Sequence, residues 1–534
     1  MKTTIKNLIL SAVLVVGGAS CVDLDTAPYD RATDLTYWEE DPEAAVKALN
    51  NCYTYLGNMD EQLYSEAMTD NAYTKQPNDF TQNIGNGSYS TADSYVKQVW
   101  DGRYTGIRMC NQLLENIDRV PDLDPELKKR YIGEAKVLRA YNYYELYTKF
   151  GDVPYTTKVL SIKESMSIAR TDRATVIANM LADLDEVING NYLPASYDAD
   201  NKGRITRWAA MAIKAKIYLF EGNWTQVKNI TSTIMTEGGF RLFGSYAGLF
   251  EIANEYNSEV ILDAQYRPTS REHQMMYAFL PPSLGGYSQL SPLQELVDSY
   301  IMLDGKTIRE TGTSFDESNP YANRDPRLKA TVMYTGNSYT LADGTEVVIN
   351  CEKGEGKDGY GVGSDCSATG YYIKKYWDNT YRATLYSGLN PILIRYADIL
   401  LMNAEALAEL GELDKTAWDA TIKPIRARAG FTLASAVEFP EGASKDKLIE
   451  IVRNERRSEL ALEGHRHKDI IRWRIADKVL NGWCHGLKTN EVVGTDNGYV
   501  RVENRAFNAN KHYLWPIPQA ERDLNGNLVQ NPNW

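Results

Sequence analysis

The chain of 534 residues carries 71 Asp+Glu against 58 Lys+Arg, a formal net charge of −13 at pH 7. That acidic surplus opposes nucleic-acid binding, which needs basic surface to displace counterions, and no polybasic patch offers itself to anionic lipid. The length exceeds what one hydrophobic core usually serves, so several packed units are expected.

At the N-terminus, Lys2 and Lys6 precede an apolar core of Leu8-Ile9-Leu10 and Ala12 to Val16, interrupted only by Ser11. Spanning a bilayer takes about 20 apolar residues, so this run has the anatomy of an export signal. Gly18, Ala19 and Ser20 lead into Cys21, followed at once by the acidic Asp23 and Asp25. The arrangement resembles the lipobox of bacterial lipoproteins, with Gly18 standing where that pattern usually has an aliphatic residue; the alternative is an ordinary secretory signal with an incidental cysteine. Residues 1–20 are therefore assigned to a lipoprotein signal peptide and Cys21 to lipidation. Cleavage removes Lys2 and Lys6 and no acid, moving the formal charge from −13 to −15. The remaining cysteines, Cys52, Cys110, Cys351, Cys366 and Cys484, are odd in number and scattered, so they form neither a disulfide framework nor a metal-binding C-x-x-C set. Cys351 and Cys366 flank a Gly-rich loop and are the two that could bridge.

Residues 68–98 read as a long loop. Asp124-Pro125 then marks an N-cap with proline at the first helical position. The helix it opens carries Val137, Ala140, Tyr141, Tyr144 and Tyr147 at helical spacing, and Gly151 and Pro154 stop it. A second helix shows the stripe Trp208, Met211, Ala212, Ala215 and Leu219. Further loops over 264–292 and 312–390 hold short strand-like runs, "EVVIN" and "YYIKKYW" among them. A third helical stripe follows at Leu393, Tyr396, Ala397, Leu400, Ala404, Leu407 and Ala408. Ala215-x-x-Tyr218-Leu219-x-x-Gly222 matches Ala404-x-x-Leu407-Ala408-x-x-Gly411: a small residue, a bulky one, then a Gly turn, as in diverged tetratricopeptide helix pairs. The expected fold class is all-α dominated, with helical repeats, long irregular loops and a few short strands. Loops of this length on a rigid helical frame are where binding is expected.

Signals of catalysis are weak throughout. "GEGKDG" (Gly354, Gly356, Gly359) matches G-x-G-x-x-G but leads into "YGVGSDCSATGYY", which offers no helix N-terminus for a pyrophosphate. G-x-S-x-G and H-E-x-x-H do not occur. His465-x-His467 lacks a third ligand at motif spacing; the surrounding "NERRSELALEGHRHKDIIRW" reads as two helical stretches joined near Gly464, which gives these histidines a structural role. No metal, cofactor or catalytic residue is assigned. Tyrosine is the outlier, 36 residues against 11 Phe. A stacking face with a hydrogen-bonding tip suits wet interfaces and sugar-like ligands, although most of these tyrosines are expected to pack between helices.

Six collinear segments resemble the SusD/RagB family of outer-membrane lipoproteins: "GEAKVLRAYNYYELYTKFGDVP", "RITRWAAMAIKAKIYLFEGNW", "NPILIRYADILLMNAEALAELG", "IRARAG", "ERRSELALEGHRHKDIIRW" and the ending "YLWPIPQAERDLNGNLVQNPNW". The resemblance implies one domain over 21–534, with an N-terminal part at about 22–225 and a second part at about 260–534, built on four tetratricopeptide-like helix pairs. It implies a lipid-anchored, outward-facing outer-membrane protein that is not an enzyme. Such a protein binds oligosaccharide for a SusC-like TonB-dependent transporter; peptide or protein binding of the RagB type is the alternative, and a surface glycoside hydrolase a lesser one. Arg139, Arg395, Trp208, Trp473 and Trp515 lie in packing patterns and are read as scaffold. The ligand surface is expected in the loops. The loop around 69–90 offers Asp70, Asn71, Tyr73, Asn78, Asp79, Phe80 and Tyr89; Tyr287 precedes "SPLQELVDSYIMLDG", and Trp377 and Tyr381 precede "NPILIRYAD".

Overall fold

The computed structural model describes residues 33–75, 80–380, 384–491 and 494–534. Helices dominate, and none among the described residues is long and apolar enough to cross a membrane. The frame is a row of packed helices: α1 (Ala44–Tyr53), α2 (Ser94–Asn116), α3 (Pro125–Phe150), α4 (Arg173–Asn189), α5 (Arg207–Phe220), α6 (Trp224–Glu237), α7 (Tyr396–Leu410) and α8 (Lys445–Glu459). From α2 to α8 each helix packs on the next, and α1 packs on α2 and α3. Local signals explain the boundaries. The Asp124 carboxylate accepts from the Leu127 N–H with Pro125 at the first turn, and Thr206 caps α5 through the Ala209 N–H. Ala209, Ala210, Ala212 and Ala215 are fully buried on α5, small enough to let α4 and α6 approach closely. The matched repeat turns behave alike: Gly222 and Gly411 close α5 and α7 with φ of 69° and 75°, conformations costly for any residue with a Cβ.

The row is interrupted between α6 and α7. The intervening chain builds a second, loop-rich core around Phe279, Leu296, Tyr300, Tyr339 and Tyr372, stitched by short antiparallel strand pairs. β1 (Ala72–Thr74) pairs with β3 (Leu290–Pro292), Tyr73 opposite Ser291. β2 (Val260–Asp263) pairs with β4 (Ile392–Arg395) and closes the insertion at its neck. One expectation is corrected here. The third helical stripe begins at Tyr396, not Leu393, because Ile392-Leu393-Ile394 follows Pro391 and finds an extended partner in β2; β-branched residues favour that surface. The early loop also holds more structure than its composition suggests, with β1 and a helix over Phe80–Asn86. Cys351 and Cys366 are both free, buried thiols, the latter donating to the Lys357 carbonyl at 3.2 Å.

At the neck, Arg395 is fully buried and all five of its N–H groups find acceptors. They reach Glu463 twice, Glu459 and Glu259, and the Glu459 carbonyl, each at 2.7 Å. Arg327 joins the same cluster through Asp325 (2.7 Å), Glu455 (2.7 Å) and Glu459 (2.8 Å), and Lys375 through Glu463 (2.6 Å). Removing one partner of a buried ion pair strands the others. Arg395→Met is therefore expected to lower unfolding stability by about 3–5 kcal/mol, read as a shifted denaturant midpoint; a change under about 1 kcal/mol would show that the cluster does not hold the neck.

Candidate functional site

On the loop-rich face, β3 is preceded by the turn Pro281–Gly286, which delivers Tyr287 to the surface. Gly286 has to be glycine: a Cβ there would lie 2.1 Å from the Leu280 carbonyl oxygen. Ser288 locks the return by donating to that same carbonyl at 3.0 Å. The Tyr287 N–H then bonds the Tyr277 carbonyl at 2.8 Å, and the two rings stack at 5.6 Å with planes 12° apart. Tyr287 remains 46% exposed, so the pair is a braced, flat aromatic surface open to water. Around it the polar groups are positioned by neighbouring loops. Lys75 donates its backbone N–H to Gln289 (2.9 Å) and its ammonium to the carbonyls of Ser364 (2.5 Å) and Cys366 (2.8 Å); burial pulls the pKa of that ammonium down. Gln289 also takes the Tyr64 hydroxyl at 3.1 Å, and Asp358 accepts from the Ser283 N–H at 2.8 Å. A braced ring open to water offers a stacking face to a ligand with C–H faces and hydroxyl edges.

The predicted site residues divide. Tyr73 is half-buried on β1, its hydroxyl 3.4 Å from the Gln82 amide, two residues from Lys75. Asp70, Asn71 and Tyr89 are corrected: each is buried and already partnered. Arg466 grips Asp70 at 2.8 and 2.9 Å and Arg457 at 3.0 Å; burial opposes ionisation, but these guanidiniums outweigh it and hold the carboxyl well below the usual range. Asn71 bridges Glu66 (2.8 Å) and Arg457 (2.9 Å). Tyr89 packs against Trp534 at 4.8 Å and His512 at 5.1 Å, inside the C-terminal packing. Trp377 sits elsewhere, its indole donating to the Thr340 carbonyl at 2.8 Å beside Tyr339. Asn78, Asp79, Tyr381 and Cys21 lie outside the described residues, as does the side chain of Phe80. Sequence reasoning missed Tyr277; the available signal was its place ten residues before Tyr287, across the Pro-Pro and Gly-Gly turn.

The residues read as scaffold are buried: Arg139, Arg395, Trp208, Trp473 and Trp515. His465 and His467 line a hollow of about 90 Å³ within the helical frame. Burial, then Lys216, pushes His465 down to about 3, and its Nδ1 lies 3.4 Å from the Lys216 ammonium. Among the described residues no cluster of His, Cys, Asp or Glu is arranged to hold a metal ion.

A scaffold of paired helices carrying a separate looped face defines a ligand-binding repeat protein. Residues 249–534 match the model of the SusD family, and residues 36–219 match a family described as starch-binding, associating with the outer membrane. The chain belongs to the SusD family. It is 26% identical to a SusD-like protein, P25, of Formosa agariphila over 99% of this chain and 98% of that one. Among crystal structures, a SusD-like carbohydrate-binding protein from Bacteroides fragilis aligns over 92% of this chain and 100% of that one, with a TM-score of 0.82 and 28% identity. A second SusD-like protein from Bacteroides fragilis covers 95% and 100%, with 0.81 and 26%.

Close to this face a C-terminal hairpin, β5 (Asn481–Lys488) and β6 (Tyr499–Ala506), docks on the short helix Gln294–Ser299 that follows β3. His485 makes the tie, with Nδ1 2.8 Å from Glu295 and Nε2 3.0 Å from Asp496; Asp496 also pairs with Arg501. Hydrogen bonding to Glu295, against burial and with help from Asp496, raises the His485 pKa. A raised folded-state pKa gives a tie that is complete below the unfolded imidazole value of ~6.5 and lost as pH climbs through the folded value. Hydrogen-exchange protection of residues 481–488 should therefore fall as pH rises above the unfolded imidazole value of ~6.5, and His485→Gln should flatten that dependence. Protection unchanged across the range in the parent would refute the tie.

Proposed function

We infer that this protein is a non-catalytic glycan-binding lipoprotein, anchored at the outer membrane through Cys21 and facing outward, which captures oligosaccharide for a SusC-like TonB-dependent transporter. The observation that carries the reading is the stacked Tyr277–Tyr287 pair, whose Tyr287 ring is 46% exposed on the looped face. Family membership supports it, as does the 28% identity to a carbohydrate-binding relative. A sugar stacked on Tyr287 loses water from its C–H face while its hydroxyls exchange water for fixed amides and carbonyls, a trade that favours binding without chemistry. The acidic, largely polar composition just after Cys21, "VDLDTAPYDRA", suits a tether that keeps the protein near its transporter at high effective concentration.

Two measurements test this. Tyr287→Ala should weaken binding of the best oligosaccharide from a glycan array by at least ~1 kcal/mol, with an unchanged melting temperature; equal binding by calorimetry removes the platform. Cys21→Ala should release the protein from the membrane fraction, since stable anchoring takes two or more acyl chains at ~0.8 kcal/mol per buried CH₂. Normal surface display of that variant would overturn the anchor.

A further inference from the structure

Helix α1 opens the frame and runs against α2 in the opposite direction. Ala48 and Gln112 line one small pocket, the Asn51 amide donates to the Met109 sulfur at 3.0 Å, and a Cβ on Gly106 would lie 2.8 Å from the Tyr55 Cβ. These contacts climb α1 as they descend α2, so position 52 faces the turn of α2 that follows Met109. The glycine at 106 lets the two backbones approach closely at this point.

Cys52 and Cys110 meet in that interface. Both are fully buried in the main core. The Cys52 thiol donates to the Ala48 carbonyl at 3.3 Å, which leans its side chain toward the Gln112 end of α2, and it stands in hydrogen-bonding contact with the Cys110 thiol. Burial, with the Cys52 thiol beside it, holds the pKa of Cys110 well above the ordinary thiol range. Two thiols in contact, on helices already held in register, meet the main geometric demand of a bridge, that the backbones need not move to make it. Cys366, by contrast, turns its thiol to the Lys357 carbonyl.

We propose that Cys52 and Cys110 are joined by a disulfide in the exported protein, clamping α1 to α2. The inference needs export to an oxidising compartment, which the signal at residues 1–20 supplies whether or not Cys21 is lipidated, and it is independent of the glycan-binding reading. The co-reactant is a disulfide-bearing oxidant. One cysteine thiolate attacks a sulfur of that disulfide, forming a mixed disulfide and releasing one thiol; the second cysteine then attacks its partner's sulfur, forming the Cys52–Cys110 bond and releasing the other thiol. Two electrons pass to the oxidant, and the two cysteine protons end on its thiols. Since exchange needs a thiolate and access, the bond forms before α1 docks on α2, and docking then seals it from reductant. It closes a loop of about 60 residues, which removes freedom from the unfolded chain.

The test uses the full-length protein, exported with its own signal, extracted in detergent and alkylated with iodoacetamide in denaturant. Of the five cysteines Cys52, Cys110, Cys351, Cys366 and Cys484, Cys52 and Cys110 should stay unmodified until reductant is added, and a peptide map without reduction should show them linked in one species that reduction removes. Cys52→Ala and Cys110→Ala should each melt about 4 °C lower than the parent. Reductant present during melting should lower the parent by the same amount and leave both variants where they are. Alkylation of all five cysteines before reduction, or a linked pair other than Cys52–Cys110, overturns the bridge. A linked parent whose melting temperature reductant does not move overturns the clamp. Either result leaves the glycan-binding reading standing.

Discussion

The structure depends on burying a balanced set of charges at the neck between its two halves. Arg327, Lys375, Arg395, Arg426 and Arg428 face Glu259, Asp325, Glu455, Glu459 and Glu463, five cations against five anions, with every side chain nearly sealed from water. Taking any of them out of water alone would cost several kcal/mol; together they satisfy one another. The cluster draws from the strand that enters the insertion, the loops that form it, and helix α8 that follows it. Helices alone could stack α6 on α7, but nothing apolar in that stack would orient the loop-rich core relative to them. Directional, two-pronged guanidinium contacts do so, and burial opposes any sliding, because a displaced arginine would leave an uncompensated glutamate behind.

That arrangement explains which parts of the protein can be read from its sequence. Helices announce themselves within a few residues: Asp124-Pro125 caps α3, Trp208 to Leu219 marks the buried stripe of α5, and the Gly222 and Gly411 turns close matched helices. The strand Ile392–Arg395 does not, since its partner Val260–Asp263 lies more than a hundred residues away and the apolar run is compatible with either state. The site is harder still. Asp70, Asn71 and Tyr89 have the composition of a sugar site, but Arg466, 396 residues distant, consumes Asp70, and the chain's last residue covers Tyr89. Tyr277 stands ten residues before Tyr287 across the Pro-Pro and Gly-Gly turn, a spacing that brings the two near without saying that their rings stack.

The distribution of tyrosine follows the same division. Tyr143 and Tyr147 are swallowed by the frame, and the Tyr143 hydroxyl reaches the Thr156 carbonyl at 2.9 Å. Tyr287 and Tyr277 have a backbone clasp and each other, and among the described residues Tyr287 stays 46% exposed. A ring fixed by a hydrogen-bonded turn and a stacked neighbour loses little freedom when a ligand arrives, so the rigidity of the frame becomes affinity at the loops.

Charge completes the argument. With the neck neutral, the chain's formal −13 is carried by the rest of the molecule. A field of that sign slows polyanions and leaves uncharged chains indifferent. A looped face that offers a braced tyrosine pair, on a protein with acid to spare, gives a polyanion less to gain than an uncharged chain.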